Sequence, residues 1–322
     1  MKPAREKYQR LIDACQALPP TPTAVAHPCD ESSLRGAVDA GKLGLIAPIL
    51  VGPRARIEAI AKQHGIDIAG LEIVDAEHSH DSAAKAVALV REGKAEALMK
   101  GSLHTDELMG AVVRRETGLR TARRVSHCFV MDVPSHPDAL IITDAAINIA
   151  PTLSDKADIV NNAVELAHAF GIAQPRVAIL AAVETVNPGM PATLDAAALC
   201  KMADRGQIPG AIVDGPLAFD NAVSAAAART KGIVSEVAGA ADILVVPDLE
   251  SGNMLAKQLM YLGGAASAGL VVGARVPIVL TSRADSRESR IASCAVALVA
   301  ARAAGRVDVG GVAMPKQLEL QA

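Results

Sequence analysis

The stretch Pro277-Ile-Val-Leu-Thr281-Ser282-Arg283-Ala-Asp285-Ser286 decides the fold class. An apolar, partly β-branched run leads into a short loop of hydroxyls and charges. Directly after it, Arg287–Ala304 carries apolar residues at helical spacing. A buried strand that runs through a small polar loop straight into a helix is the repeating unit of a parallel α/β sheet. The design recurs in Ala97-Leu-Met-Lys100-Gly101-Ser102-Leu-His104-Thr105-Asp106. It recurs again in Ile243-Leu-Val-Val-Pro247-Asp248-Leu-Glu250-Ser251-Gly252-Asn253, after which a helix is expected over Met254–Leu262. Runs such as Thr23–His27, Leu45–Val51, Leu140–Thr143, Val177–Ala182 and Gly210–Val213 alternate with amphipathic stretches such as Ser154–Gly171. Several of the runs are continuously apolar, as strands covered on both faces are. The class is α/β with some antiparallel pairing.

Composition narrows what such a fold is for. The chain has 322 residues, a length that suits one large or two ordinary domains. Hydrophobic residues make up 51%, yet only three Phe, two Tyr and no Trp are present, so the core is built from Ala, Val, Leu and Ile. So few rings argue against stacking on single-stranded nucleic acid, and a net charge of −3 argues against a phosphate-coating surface for duplex DNA. No apolar h-region follows Met1 and no run reaches membrane-spanning length, so a cytoplasmic protein with no membrane partner is expected. The five cysteines are scattered without Cys-x-x-Cys spacing and read as reduced thiols. The tail Arg306–Ala322 lacks a strong pattern.

Two motifs fail. Gly36-Ala-Val-Asp-Ala-Gly41-Lys42-Leu43 imitates a P-loop, but Leu43 stands where a magnesium-holding hydroxyl belongs, and the string lies inside a helical pattern. His78-Ser-His80 lacks a third ligand nearby, so no metal site is assigned. The three strand–loop–helix junctions carry the chemistry, because free N–H groups and the positive helix end converge on whatever occupies the loop. In the first, Gly101 permits close backbone approach, Lys100 adds a point charge, and Ser102 or Thr105 can cap the helix. In the second, Asp248 and Glu250 offer a base or merely a cap and a surface charge. In the third, the Arg283 fork, the hydroxyls and the helix start suit one oxyanion, while Asp285 is either functional or a simple ion pair. Arg114, Arg115, Arg120, Arg123 and Arg124 form a basic cluster that either complements a helix end or receives an anionic ligand. His127 reads as a core imidazole or a catalyst.

Read in order, Lys100-Gly-Ser, Asp214-Gly-Pro-Leu-Ala-Phe-Asp220, Ser235-Glu-Val-Ala-Gly239-Ala-Ala-Asp242, Pro247-Asp-Leu-Glu-Ser-Gly-Asn253 and Thr281-Ser-Arg-Ala-Asp-Ser286 resemble the phosphate acetyltransferase/phosphate butyryltransferase family. The resemblance runs from about residue 20 to about residue 305. It implies a reversible reaction in which acyl-CoA and phosphate give acyl phosphate and CoA, with both as substrates and no further cofactor. It implies two α/β domains with a cleft between them, of the isocitrate/isopropylmalate dehydrogenase architecture, and a homodimer. Domain I would comprise 1–135 plus 273–322, and domain II, inserted, 136–272. Ser282 and Arg283 would bind the phosphoryl group and polarise the acyl carbonyl. Lys100, Ser102, His104, Arg124, Ser251, Asn253 and Thr281 are the candidate substrate-binding residues. Acetyl-specific members carry an Asp six residues past the arginine, where this chain has Ser289. The Thr-Ser-Arg-Ala-Asp-Ser string looks more like the butyryl branch. If Asp285 and Ser289 share a face of the helix's first turns, Asp285 can stand in as base for the thiol. Glu250 is the second candidate. A metal- and NAD-dependent dehydrogenase of the same architecture acting on a phosphorylated hydroxy acid, or a non-catalytic ligand-binding relative, are the alternatives.

Overall fold

The computed structural model describes residues 6–282 and 285–304; Arg283 and the tail Arg306–Ala322 lie outside the described residues. The elements, in chain order, are α1 (Glu6–Cys15), β1 (Thr21–Ala26), α2 (Glu31–Lys42), β2 (Ile46–Gly52), α3 (Arg54–His64), β3 (Glu72–Asp75), α4 (Ser79–Arg91), β4 (Ala97–Lys100), α5 (Thr105–Val112), β5 (Ser126–Asp132) and β6 (Leu140–Thr143). They continue with α6 (Leu153–Ala169), β7 (Arg176–Leu180), α7 (Pro191–Asp204), β8 (Ile212–Leu217), α8 (Phe219–Val223), α9 (Ala225–Thr230), β9 (Ile243–Val245), α10 (Leu249–Tyr261), β10 (Ala266–Val272), β11 (Ile278–Val279) and α11 (Arg287–Ala304). Strands and helices alternate except at β5–β6, α8–α9 and β10–β11. No helix among the described residues is long and apolar enough to cross a membrane.

Two compact units divide the chain. The flanking unit joins Tyr8–Arg123 to the described residues from Ala268 onward, and the inserted unit is built on Arg124–Ser267. In the flanking unit the strand order is β3-β2-β1-β4-β11-β10, parallel except where β10 meets β11. Leu50, Leu98, Met99, Ile278 and Val279 are fully buried in its sheet. Residues 289–299 of α11 are buried on every side, so this helix is core and not cover. The P-loop-like string falls inside α2, where a Cβ at Gly41 would sit 3.2 Å from Pro48 Cδ. Its glycine serves helix–strand packing.

In the inserted unit the order is β5-β6-β9-β7-β8, with β5 antiparallel to β6 and the rest parallel. Met131, Ile142, Ala178, Leu217 and Leu244 make its core. Two expectations are corrected here. The strand sought at Gly210–Val213 is β8, Ile212–Leu217, and includes Gly215-Pro216. Proline suggests a break, but β8 ends this unit's strand order and an edge strand tolerates a missing N–H. The helix sought at Met254 begins five residues earlier, at Leu249, because the Asp248 carboxylate accepts the Ser251 N–H at 2.8 Å and caps it.

His127 lies in β5 against the Phe129 ring, centroids 4.4 Å apart, and is fully buried. It is a core imidazole. Burial pushes its pKa from 6.5 down to about 3. The folded chain therefore refuses a proton that the unfolded chain takes up below about pH 6.5, so this contribution is complete above that pH and is lost towards pH 3. Denaturant midpoints should fall on acidification through this window. In His127→Leu the fall should be shallower, by at most about 1.4 kcal/mol per pH unit; equal slopes would show that another group controls acid stability.

Candidate active site

In the flanking unit, β4 pairs in parallel with β1 through Ala26↔Lys100 and with β11 through Val279↔Met99. Continuing that register puts His27 and Thr281 on either side of Gly101. Three loops therefore leave one sheet edge together, and they feed α2, α5 and α11 respectively. Ligands of open α/β sheets bind at this carboxyl edge, and helix starts there favour an anion.

Backbone contacts weld the first two loops. Gly101 N–H donates to Ala26 O at 2.9 Å, and both the N–H and the hydroxyl of Ser102 donate to His27 O at 2.9 Å. A Cβ at Gly101 would lie 2.3 Å from Ala26 O, so only glycine fits. His27 is held at φ 56°, in the left-handed region that a side chain disfavours, and such strain collects at functional loops. The Ser82 hydroxyl donates to His78 O at 2.8 Å, so in its 3.0 Å contact with His27 Nδ1 the imidazole must be the donor. His27 thus carries a proton on Nδ1. Burial, followed by the charge of Arg56, lowers its pKa further from protonation. Lys100 is buried at the strand end, with Nζ 3.4 Å from Gly101 O. His104 is exposed at the start of α5, where its N–H donates to Glu107 Oε2 at 2.9 Å.

The third loop is built from its own groups. Thr281 is buried and its hydroxyl accepts from Arg290 at 3.0 Å. Ser282 is exposed, and its N–H donates to Asp285 Oδ2 at 2.7 Å. Helix α11 starts at Arg287, so Asp285 stands ahead of it and the expected shared helical face with Ser289 does not form. Ser289 is buried, with its N–H donating to the Ser286 hydroxyl at 3.1 Å.

In the inserted unit, β6 and β9 are parallel neighbours, Thr143↔Val245, and their loops interlock. Glu250, Ser251 and Asn253 sit on the opening turns of α10. Glu250 is exposed, the Ser251 hydroxyl donates to Asp248 at 2.8 Å, and Asn253 Nδ2 donates to Ala145 O at 3.2 Å. Arg124 Nε donates to Asn148 Oδ1 at 2.5 Å and its guanidinium pairs with Asp155 at 3.2 Å. The sequence reading overlooked Asp144, which is buried at the end of β6. It accepts from the N–H groups of Ala146, Ile147 and Asn148 and from Asn148 Nδ2. Burial raises its pKa despite those donors. It also overlooked the His27–Asp30 loop, whose signal was the cap pattern Asp30-Glu-Ser-Ser, and Arg290, a lone charge in an apolar helix.

Burial pushes the thiols of Cys15, Cys128, Cys200 and Cys294 up to about 12 and that of Cys29 up to about 11. None is poised as a nucleophile at neutral pH. His78 caps α4 through Nδ1, and His80 pairs with Glu107 at 3.3 Å. Among the described residues no group of three or more His, Cys, Asp or Glu is placed to hold a metal ion.

Fold and edges together define a largely parallel α/β protein whose strand ends gather helix starts, hydroxyls and buried basic side chains. A family model described as phosphate acetyl/butaryl transferase matches residues 78–298. The phosphate acetyltransferase of Rhizobium meliloti is 65% identical over 297 residues, 92% of this chain and 94% of the relative. The phosphate butyryltransferase of Clostridium acetobutylicum is 47% identical over 278 residues, 86% and 92% of the two chains. The crystal structure of a branched-chain phosphotransacylase from Enterococcus faecalis V583 superposes with a TM-score of 0.76 at 32% identity, covering 87% of this chain and 99% of that one. The chain belongs to the phosphate acetyl/butaryl transferase family.

The welded edge predicts opposite outcomes for two glycines. Gly101→Ala should lower the melting temperature sharply, because the methyl has only backbone to displace. Gly110→Ala, exposed in α5 with nothing within 4 Å, should raise stability by about 0.5–1 kcal/mol. Thermal melts of the two variants check this.

Proposed function

We propose that this enzyme moves an acyl group between coenzyme A and inorganic phosphate, with the phosphoryl group held at the flanking unit's loop edge. The observation that carries the site assignment is the convergence of Lys100, Ser102 and Thr281–Ser282 at two adjacent strand ends, those of β4 and β11. The family match favours an acyltransferase over the dehydrogenase alternative. The architecture proposed with it is that of isocitrate/isopropylmalate dehydrogenases, with 1–135 plus 273–322 as domain I and 136–272 as domain II. A cytoplasmic homodimer completes the reading.

In the acyl phosphate direction the nucleophile is the thiol of coenzyme A. With a pKa of about 8.5 it is only a few per cent thiolate at neutral pH, so a carboxylate must take the proton during attack. Sulfur adds to the acyl carbonyl, charge builds on the carbonyl oxygen, and phosphate leaves. Arg283 receives the phosphate as a bidentate partner. The Ser282 hydroxyl stabilises the carbonyl oxygen; its backbone N–H is engaged by Asp285 and does not serve. Asp285 is the first candidate for the base and Glu250 the second. Coenzyme A and phosphate are substrates, and no cofactor enters the scheme. Lys100, Ser102, His104, Arg124, Ser251, Asn253 and Thr281 are the proposed substrate-binding residues.

The test is release of free thiol from acetyl-, propionyl- and butyryl-CoA with phosphate. Turnover that depends on phosphate is expected; its absence with every thioester would overturn the assignment. Arg283→Ala should lower kcat/KM at least about a hundredfold while the melting temperature is kept. Asp285→Asn retains an oxygen for the Ser282 N–H and loses only the charge, so it isolates the basic role. A large drop in that variant beside a small one in Glu250→Gln is expected, and the reverse pattern would move the base to Glu250.

A further inference from the structure

Arg290 is a charged side chain set in the buried stretch of α11, and only 4% of it is exposed. A guanidinium leaves water only where its donors are met. One nitrogen donates to Thr281 Oγ1 at 3.0 Å and another to Ser282 O at 2.9 Å. Those two residues lie just past β11, next in sequence before Arg283. The side chain also passes α2 at Gly36, where a Cβ would stand 3.0 Å from Arg290 Cδ. It acts electrostatically on Asp30, the cap of α2. Burial raises the Asp30 pKa, but hydrogen bonds from Ser33 and Ser32 and then the Arg290 charge bring it below the ordinary carboxylate value.

The geometry points to Arg290 as a positioning residue for phosphate recognition, a role that rests on the reading of the flanking edge as the phosphate site. Because the Thr281 hydroxyl accepts from a guanidinium, its own proton is left to be donated, and the positive partner makes it a stronger donor. The second bond fixes the Ser282 peptide, and so the direction in which the Ser282 side chain leaves the backbone. The planar fork makes both bonds at once; lysine, a single point of charge, cannot. Arg290 touches neither reacting atom in this scheme. It sets the donors that do.

Steady-state phosphorolysis of acyl-CoA, with phosphate and thioester varied separately, tests this in Arg290→Gln, Arg290→Lys and Thr281→Val. Arg290→Gln should raise KM for phosphate about tenfold or more and leave KM for the thioester within about twofold. Arg290→Lys should fall between it and the parent. Thr281→Val should raise KM for phosphate alone, and adding it to Arg290→Gln should contribute less than it does by itself, since both act along one path. Should Arg290→Gln fail to fold, Thr281→Val decides, because it removes only the hydroxyl. An unchanged phosphate KM in the folded variants, or equal changes in both KM values, overturns the role of Arg290 while leaving the site standing. A parent enzyme that turns over without phosphate dependence overturns the site and the inference with it.

Discussion

Parallel pairing of β4 with β1 on one side and β11 on the other is the constraint from which the flanking unit's chemistry follows. Parallel strands end on the same side, so three chain segments must turn at one edge and start three helices there. Each helix start leaves N–H groups that no helical carbonyl can satisfy. At α2 the Asp30 side chain answers one of them, and at α5 the Glu107 carboxylate reaches back to the His104 N–H. Antiparallel order would have scattered these loops over both ends of the sheet.

The edge is rigid because polar groups lock it at short range. His27 O takes three donors, from the N–H groups of Cys29 and Ser102 and from the Ser102 hydroxyl. That arrangement holds His27 in a backbone state it would not adopt alone, and it requires a residue without Cβ at position 101. In the inserted unit Asp144 works in the same way, gathering three N–H groups and the Asn148 amide around one carboxylate. Asn253 then fastens the next loop to Ala145. Both edges are fixed by side-chain hydrogen bonds formed within the protein itself, and such preorganisation is what lets donors act on charge as it develops.

The thiols point to where the nucleophile comes from. Each cysteine of the chain is held protonated by burial, including Cys29 beside the welded loops. An acyl transfer through a cysteinyl thioester would need a depressed pKa and an electropositive setting. Direct attack by a substrate thiol requires only a base and an oxyanion site, which matches a loop edge rich in carboxylates, hydroxyls and helix starts.

The sequence by itself determined the α/β class, the alternation of elements, the start of α11 at Arg287 and the family. These follow from local periodicity and from motifs read in order, neither of which needs a distant contact. It misjudged α10 by five residues because the capping strength of Asp248 outweighed the glycine and asparagine that read as loop. It ended β8 four residues too early, at Val213, because Gly215-Pro216 looks like a break until one knows that the strand lies at an edge. Tertiary structure alone decided which polar residues share a site. His27, Asp30 and Arg290 are separated by up to 263 positions along the chain, and only the order of strands in the sheet brings them to one place. Strand order is set by long-range burial of apolar faces, a property of the folded whole that no local window of sequence contains.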